Sequence, residues 1–97
     1  MKVSLVVPLF NEEQTIGAFY DAVRREPGLR GHMVDIVFIN DGSSDRTAEV
    51  ARAIALADSD VVLINLSRNF GKEAALFAGL EYATGEAVVP MDVDLQD

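Results

Sequence analysis

The sequence predicts an α/β domain built on a parallel sheet, and two observations support this prediction. Short apolar segments alternate along the chain with segments whose apolar residues recur at helical spacing. The short segments are apolar on both faces, which is typical of parallel strands covered by helices on both sides. The order βαβαβαβ then favours right-handed crossovers and a Rossmann-like sheet. The predicted strands are residues 3–9, 36–39, 61–66 and 87–91.

Three amphipathic helices are predicted between these strands. Their apolar faces are, in chain order, Ile16, Phe19 and Val23; Val50, Ala51 and Ile54; and Leu76, Leu80 and Ala83. Asn11 is the candidate N-cap of the first helix, and Pro27 ends it. Residues 43–45 offer capping side chains to the second helix. Gly85 is expected at the C′ position of the third.

Composition excludes several classes of protein and site. The 97 residues form one domain at most, and their net charge of −8 disfavours a nucleic-acid-binding surface. There is no cysteine, and the single His32 cannot build a histidine metal cluster. No run reaches the ~20 apolar residues of a membrane span, and Glu12 and Glu13 occupy the place of a signal-peptide cleavage site. The chain is therefore expected to be soluble and cytoplasmic.

Polar residues follow each of the four predicted strands. Ligands of parallel sheets bind beyond the carboxyl ends of the strands, so these four segments are predicted to form one site. The segments are residues 11–13, 40–45, 67–72 and 92–97. Neither a G-x-G-x-x-G loop nor a P-loop is present, which disfavours dinucleotide enzymes and P-loop NTPases. His32 lies in a connection far from this edge, so a Ser-His-Asp set is not expected either.

The last segment contains the carboxylate pair Asp92 and Asp94. With Gln96 they supply hard oxygen ligands suited to Mg²⁺ or Mn²⁺ bound together with a phosphate. No basic residue follows Lys72, so an anion can bind near this segment only through a bridging cation. The alternative is a solvated acidic segment, because a D-x-D sequence alone is common.

The other polar residues each admit two interpretations. Asp41 precedes a sharp turn at Gly42, and its carboxylate either belongs only to the turn or is free to accept hydrogen bonds from a ligand. Asp45 fits a helix cap better than a ligand contact. Arg68 and Lys72 are suited either to phosphate contact or to ion pairs with local carboxylates.

These segments resemble glycosyltransferase family 2, above all its polyprenyl-phosphate branch of dolichol-phosphate mannosyltransferases and bactoprenol glucosyltransferases. The narrow signals are Arg-Asn-Phe-Gly-Lys at residues 68–72 and Asp-Val-Asp-Leu-Gln-Asp at residues 92–97. Asp-Gly-Ser-x-Asp at residues 41–45 is shared more widely in the family. Together with Pro-Leu-Phe-Asn-Glu-Glu at residues 8–13, the resemblance covers essentially the whole chain.

The resemblance implies the donor-binding half of a GT-A fold and an inverting, Mg²⁺- or Mn²⁺-dependent transfer from a nucleotide-sugar to a polyprenyl phosphate. UDP-glucose is the donor that the bacterial branch suggests. By motif, the nucleoside pocket is lined by Pro8, Phe10, Glu12, Ile39 and Asp41. The same matching assigns the ribose and diphosphate to Asp92 and Val93, and the metal to Asp94 and Gln96, with Asp92 as a further candidate.

The resemblance also implies parts that these residues do not include. An acceptor region, any catalytic base and membrane helices would follow Asp97, and the whole protein would lie at the cytoplasmic face of a bacterial inner membrane. The 97 residues alone are expected to be inactive, and to self-associate through residues 87–91 as an exposed edge strand. Two alternatives stay open: a family 2 enzyme with a saccharide acceptor, and a noncatalytic nucleotide- or metal-binding module.

Overall fold

The computed structural model describes residues 1–29 and 31–94, which form a parallel sheet with helices on both faces. The strands are β1 (Lys2–Leu9), β2 (Met33–Asn40), β3 (Val61–Asn65) and β4 (Ala87–Pro90). The helices are α1 (Ile16–Arg25), α2 (Thr47–Ala57) and α3 (Lys72–Tyr82), and a 3₁₀ turn, Pro27–Leu29, follows α1. The predicted class and the predicted order of elements are confirmed.

The sheet has the strand order β3-β2-β1-β4, and every neighbouring pair is parallel. Val3 pairs with Val34 on one side and with Ala87 on the other, so β1 is central. The chain therefore builds outward from β1 through β2 to β3, and then returns to the far side of β1. This reversal is a topological switch point, where the carboxyl ends of the strands diverge and leave a crevice.

Alternate residues of β1 face two separate apolar layers. Val3, Leu5, Val7 and Leu9 lie in the layer that contains the buried faces of α1 and α2. Val6 lies in a smaller layer beneath α3. The helix faces predicted for α1 and α2 fall in the larger layer. Both faces of this strand are thus removed from water, which explains why its sequence is apolar on both faces apart from Lys2 and the buried Ser4.

The predicted face of α3 is wrong in part. Leu80 is exposed, whereas Ala75 and Gly79 are the buried residues of this helix. A Cβ at Gly79 would collide with the side chains of Val6 and Ile39, so the missing side chain allows α3 to lie unusually close to the sheet. Large apolar residues of this helix, such as Phe77 and Leu80, also lie on its exposed side, and periodicity alone therefore did not identify its packed side.

Two predicted helix ends are also corrected. Gly85 is not the C′ residue, because α3 ends at Tyr82 and its C-cap is Ala83. The N–H of Gly85 instead donates to Ser4 Oγ at the amino edge of the sheet. Asn11 is not the N-cap of α1, since the helix begins at Ile16, four residues later than a cap at Asn11 requires.

Strand β4 is the exposed member of the sheet. Val88 and Val89 keep 36% and 41% of their surfaces accessible, so the expectation of an apolar strand covered on both faces fails here. Val89 also lines an apolar groove with Leu5, Leu29 and other residues of β1 and α1. Self-association of the isolated chain through this edge stays a prediction.

Candidate functional site

A cleft with a volume of about 430 Å³ lies at the carboxyl edge of the sheet, at the switch point between β1 and β4. All four strands are followed by a segment that contributes to this edge, because parallel strands end on the same side. The lining residues are Pro8, Leu9, Phe10, Glu12, Asp41, Asn69, Gly71, Lys72, Asp92, Val93 and Asp94. The structure thus brings the four predicted segments into one site.

Asp41 is buried beneath this cleft and is not the free acceptor that one interpretation of the sequence proposed. Its Oδ1 accepts a hydrogen bond from the N–H of Phe70 at 2.8 Å. Its Oδ2 accepts from the N–H of Gly71 at 3.0 Å and from Asn69 Nδ2 at 3.1 Å. The carboxylate therefore holds the segment that leads into α3, using donors about 30 residues away in the chain.

The turn at Gly42 completes this support. Gly42 has a φ of 68°, and a Cβ there would collide with the backbone of Arg68 and Asn69. A glycine is needed for both reasons, because it tolerates a positive φ and lets the second backbone approach closely. Gly71, at the N-cap of α3, also has a positive φ, of 104°. The backbone of residues 68–71 is consequently held in one conformation beside Asp41.

Lys72 forms an ion pair across the cleft. Its Nζ donates to Asp92 Oδ1 at 2.6 Å, with 61% of the lysine side chain and 32% of the aspartate side chain exposed. Of the two interpretations for Lys72, the structure shows the ion pair with a local carboxylate. Arg68 is outside the cleft lining, and its guanidinium lies 4.8 Å from the centroid of the Phe70 ring. This geometry is a cation–π contact, and the phosphate contact considered for Arg68 stays a prediction.

Glu12 experiences the negative charge of the cleft directly. Partial burial, followed by the charges of Asp94, Asp45 and Asp92, raises the pKa of Glu12 above its ordinary value. The backbone N–H of Glu12 donates to Thr47 Oγ1 at 2.8 Å, which ties the first segment to the start of α2. Like charges disfavour the ionised form of Glu12. A cation bound in the cleft would reduce this repulsion between carboxylates.

Asp45 supports the start of α2 but is not the helix cap that the sequence favoured, because the N-cap is Arg46 and Asp45 lies one residue before it. Its Oδ1 accepts a hydrogen bond from the N–H of Thr47, the first residue of α2, at 2.9 Å. Burial raises the pKa of Asp45, but hydrogen bonds from the Thr47 hydroxyl, from the Thr47 N–H and from the N–H of Glu13 outweigh it and leave the pKa below its ordinary value. Asn11, at a φ of 53°, accepts from the N–H of Ser44 at 2.9 Å and so joins the same two segments.

The donor chemistry of the cleft fits a divalent cation shared with a phosphate. Within residues 1–29 and 31–94, no group of three or more His, Cys, Asp or Glu side chains is arranged to hold a metal ion alone. Mg²⁺ does not require such a group, since it is commonly bound by one or two carboxylates together with phosphates and water. Asp92 and Asp94 offer these carboxylates at the cleft. The third residue predicted for the metal, Gln96, lies outside the described residues.

Most of the remaining predicted site residues meet at the cleft, and Ile39 is the exception. Pro8, Phe10, Glu12 and Val93 line it, whereas the Ile39 side chain is completely buried and packs beneath α3. Asn69 and Gly71 also line the cleft; the segment 67–72 was predicted to belong to the site, but neither residue was predicted individually. Gly71 has a positive φ, a conformation that favours glycine, so its residue type was the local signal that could have identified it.

Comparison with known proteins identifies the family. The model of glycosyl transferase family 2 matches residues 4–97. The chain belongs to glycosyltransferase family 2. A relative from Escherichia coli strain K12, described as a prophage bactoprenol glucosyl transferase homolog, is 58% identical over all 97 residues, which make up 32% of the relative. This family membership confirms the resemblance seen in the four segments.

Two solved structures share the fold. The mannosyltransferase PcManGT from Pyrobaculum calidifontis, in complex with GDP-Man and Mn²⁺, matches with a TM-score of 0.83 and 31% identity, over 95% of this chain and 27% of that one. S. aureus TarS 1-349 in complex with UDP matches with a TM-score of 0.80 and 25% identity, over 97% of this chain and 28% of that one. The GT-A fold expected from the resemblance is thus confirmed.

The chain spans about a third of the length of the curated relatives it matches. Among the helices of the described residues, none has the length and apolar character needed to cross a membrane.

Proposed function

We propose that the chain binds a nucleotide-sugar in the four-segment cleft and forms the donor-binding part of a metal-dependent, inverting glycosyltransferase. UDP-glucose is the proposed donor and a polyprenyl phosphate the proposed acceptor. One observation carries the proposal: four carboxylates (Glu12, Asp41, Asp92 and Asp94) and the ammonium group of Lys72 line a single cleft at the switch point of the sheet. The family membership and the bactoprenol glucosyl transferase homolog support the same assignment.

The residues of the first segment are proposed to receive the nucleoside. Phe10 is half exposed at the cleft and offers an aromatic surface, while Pro8 and Glu12 flank it. Asp41 is proposed to act at this pocket mainly through the segment that it anchors, since both of its oxygens already accept hydrogen bonds. Ile39 contributes to the packing behind the pocket.

Asp92 and Val93 are proposed to lie beside the ribose and diphosphate. Mg²⁺ or Mn²⁺ would be held by Asp94 and Gln96, with Asp92 as a further candidate. When bound, such an ion neutralises the diphosphate and stabilises it as a leaving group. Lys72 is proposed to contact the phosphates, because it is the cation that lines the cleft within the described residues.

The proposed acceptor determines what the protein must supply. A polyprenyl phosphate is already an anionic nucleophile, so little general-base assistance is required. Its oxygen attacks C1 of the sugar on the face opposite the nucleotide, and the electron pair of the breaking C1–O bond leaves with the nucleoside diphosphate. This displacement inverts the anomeric centre. A lipid acceptor also places the whole protein at a membrane, for which we propose the cytoplasmic face of a bacterial inner membrane.

Calorimetry with UDP and GDP, in Mn²⁺, Mg²⁺ or EDTA, tests the donor assignment. We expect UDP to bind only with a divalent ion, because the cleft is too acidic to hold a diphosphate unaided. Asp94→Asn should weaken the metal-dependent binding at least about tenfold, by loss of a hard ligand. Asp21→Asn, the same change at an exposed position of α1, is the matched control. Equal affinity in EDTA would contradict the proposed metal bridge.

The acceptor is tested in the full-length gene product with radiolabelled UDP-glucose. Transfer of label to undecaprenyl phosphate supports the lipid assignment. Transfer to an oligosaccharide instead identifies a family 2 enzyme of different acceptor class. Nucleotide binding with transfer to neither acceptor would favour a noncatalytic module.

A further inference from the structure

We propose that Lys72 is an exchangeable cation, which competes with a divalent ion for Asp92 and moves to the diphosphate when the nucleotide binds. This inference rests on the proposed function and deepens it. According to this inference, nucleotide and metal bind the cleft with positive cooperativity, because each makes the binding of the other more favourable. The argument uses the geometry of the ion pair, its position on α3 and the support of the segment before it.

The Lys72–Asp92 pair is close but weakly protected from water. The two charged atoms are 2.6 Å apart, and both side chains keep substantial exposure. Pairs of this kind contribute little net free energy, because hydration replaces most of the attraction when they separate. A cation that binds Asp92 and an anion that binds Lys72 can therefore separate this ion pair at a small cost in free energy.

The position of Lys72 is unfavourable for the helix that contains it. Lys72 is the first residue of α3, where the positive end of the helix dipole repels a cation. The following residue, Glu73, has the sign that stabilises this end. Helix stability therefore does not explain a lysine at this position. Two roles in the cleft do explain it: the ion pair with Asp92 and the proposed contact with a phosphate.

The backbone beneath Lys72 is fixed, so exchange involves only the side chain. Asp41 holds the N–H groups of Phe70 and Gly71, and Gly42 packs against the same segment. A lysine has a flexible four-carbon stem whose ammonium group can redirect its hydrogen bonds without loop movement. The segment acts as a rigid base from which Lys72 reaches either partner.

Linkage follows from this arrangement. A diphosphate that draws Lys72 away leaves Asp92 available to a divalent ion, and a divalent ion at Asp92 releases Lys72 for the diphosphate. The coupling must be equal in both directions, because binding free energies are reciprocal. Replacement of Lys72 should therefore increase the affinity for the free metal and reduce the coupling between metal and nucleotide.

Mn²⁺ binding measured by electron paramagnetic resonance, with and without UDP, tests this inference. Lys72→Met should bind free Mn²⁺ about three- to thirtyfold more tightly than the unsubstituted chain, since a competing cation and its repulsion are removed. The factor by which UDP improves Mn²⁺ affinity should fall. Lys2→Met is the matched control, because Lys2 pairs with Asp35 at the opposite edge of the sheet and its loss changes the net charge equally. We expect the control to remain within about twofold of the unsubstituted chain.

Two results would overturn the inference: unchanged or weaker Mn²⁺ affinity in Lys72→Met, or an equal gain in Lys2→Met, which would indicate a net-charge effect. A gain confined to Lys72→Met without any UDP binding would support competition at Asp92 while contradicting the proposed donor. Absence of Mn²⁺ binding in both chains would refute the two proposals together.

Nuclear magnetic resonance provides a readout that needs no substitution at Lys72. Lys2 and Lys72 are the only lysines in the sequence, so ¹³C-dimethylation yields two assignable side-chain signals. We expect Mg²⁺ with UDP to shift the Lys72 signal and to leave the Lys2 signal in place. A Lys72 signal that is insensitive to Mg²⁺ and UDP, under conditions where calorimetry shows binding, would overturn the exchange.

Discussion

Carboxylate side chains lie at both edges of the sheet, but their electrostatic surroundings are opposite. At the amino edge, Asp58 accepts a hydrogen bond from the Tyr20 hydroxyl at 2.6 Å and pairs with Arg24 at 2.9 Å. Arg24 also donates to the carbonyl oxygen of Val34, so one cluster joins α1, β2 and the C-cap of α2. At the carboxyl edge, Glu12 lies close to three aspartates whose charges disfavour its ionised form.

The pKa values of Asp58 at the amino edge and Glu12 at the carboxyl edge move in opposite directions. The hydrogen bond from Tyr20 lowers the pKa of Asp58, whereas burial and neighbouring carboxylates raise the pKa of Glu12. Charge at the amino edge is therefore neutralised within the protein and stabilises the fold. Charge at the carboxyl edge is left in excess, which is a cost to the fold and a property suited to binding a cation.

The largest expected effect is a loss of stability, and it should differ between two glycines with positive φ, one at each edge. Gly42→Ala should lower the free energy of unfolding by about 3–5 kcal/mol, because a Cβ collides with a second backbone in addition to the strained φ. Gly31→Ala, in the connection before β2, has the same kind of φ but open space around it, and should cost only about 1–2 kcal/mol. Urea unfolding measures both. Equal losses would show that the cleft segment moves aside easily.

The second comparison removes one aspartate from each edge. Asp41→Ala should cost about 2–3 kcal/mol by leaving buried N–H groups without acceptors, and should weaken UDP binding by releasing the segment before α3. Asp58→Ala should cost about 1–2 kcal/mol but leave UDP affinity unchanged.

Thermal melts and calorimetry on the same samples separate the two effects. Free Mn²⁺ affinity should remain nearly the same in Asp41→Ala, because Asp41 is committed to the backbone. Partial recovery is expected in Asp41→Asn, which keeps one acceptor oxygen. Loss of UDP affinity in Asp58→Ala would contradict the functional separation of the two edges.

The smallest effects concern pH and have opposite signs at the two edges. Asp58→Asn should lower stability at pH 7, and the difference should vanish as the pH falls through the lowered pKa of Asp58, below its ordinary 3.8. Glu12→Gln should raise stability at pH 7, because the ionised form is disfavoured in the fold. That gain should vanish as the pH falls through the raised pKa of Glu12 to below its ordinary 4.5.

Urea unfolding between pH 3 and pH 7 measures both differences. Destabilisation by Glu12→Gln at pH 7 would show that the backbone and packing of this segment outweigh its charge. An Asp58→Asn difference that does not decrease at all between pH 7 and pH 3 would indicate that lost geometry, and not lost charge, accounts for the effect.

The sequence by itself determined the architecture and the location of the site. The apolar segments 5–9 and 36–39 specify buried parallel strands, because a strand that is covered on both faces takes apolar residues on both of them. Parallel strands end at a common edge, so the polar segments had to converge there whatever their detailed contacts. Asp92 and Asp94 were identified as cleft residues by this reasoning.

Only the tertiary structure decided which groups pair within the site. Asp41 meets donors about 30 residues away, and Lys72 meets Asp92 across 20 residues, so no local pattern encodes either contact. The packed side of α3 was decided in the same way: close approach to the sheet favours Gly79, which has no side chain to clash, over the larger Leu80. Hydrogen bonds and close packing depend on distances of a few ångströms between segments, and those distances exist only once the sheet has assembled.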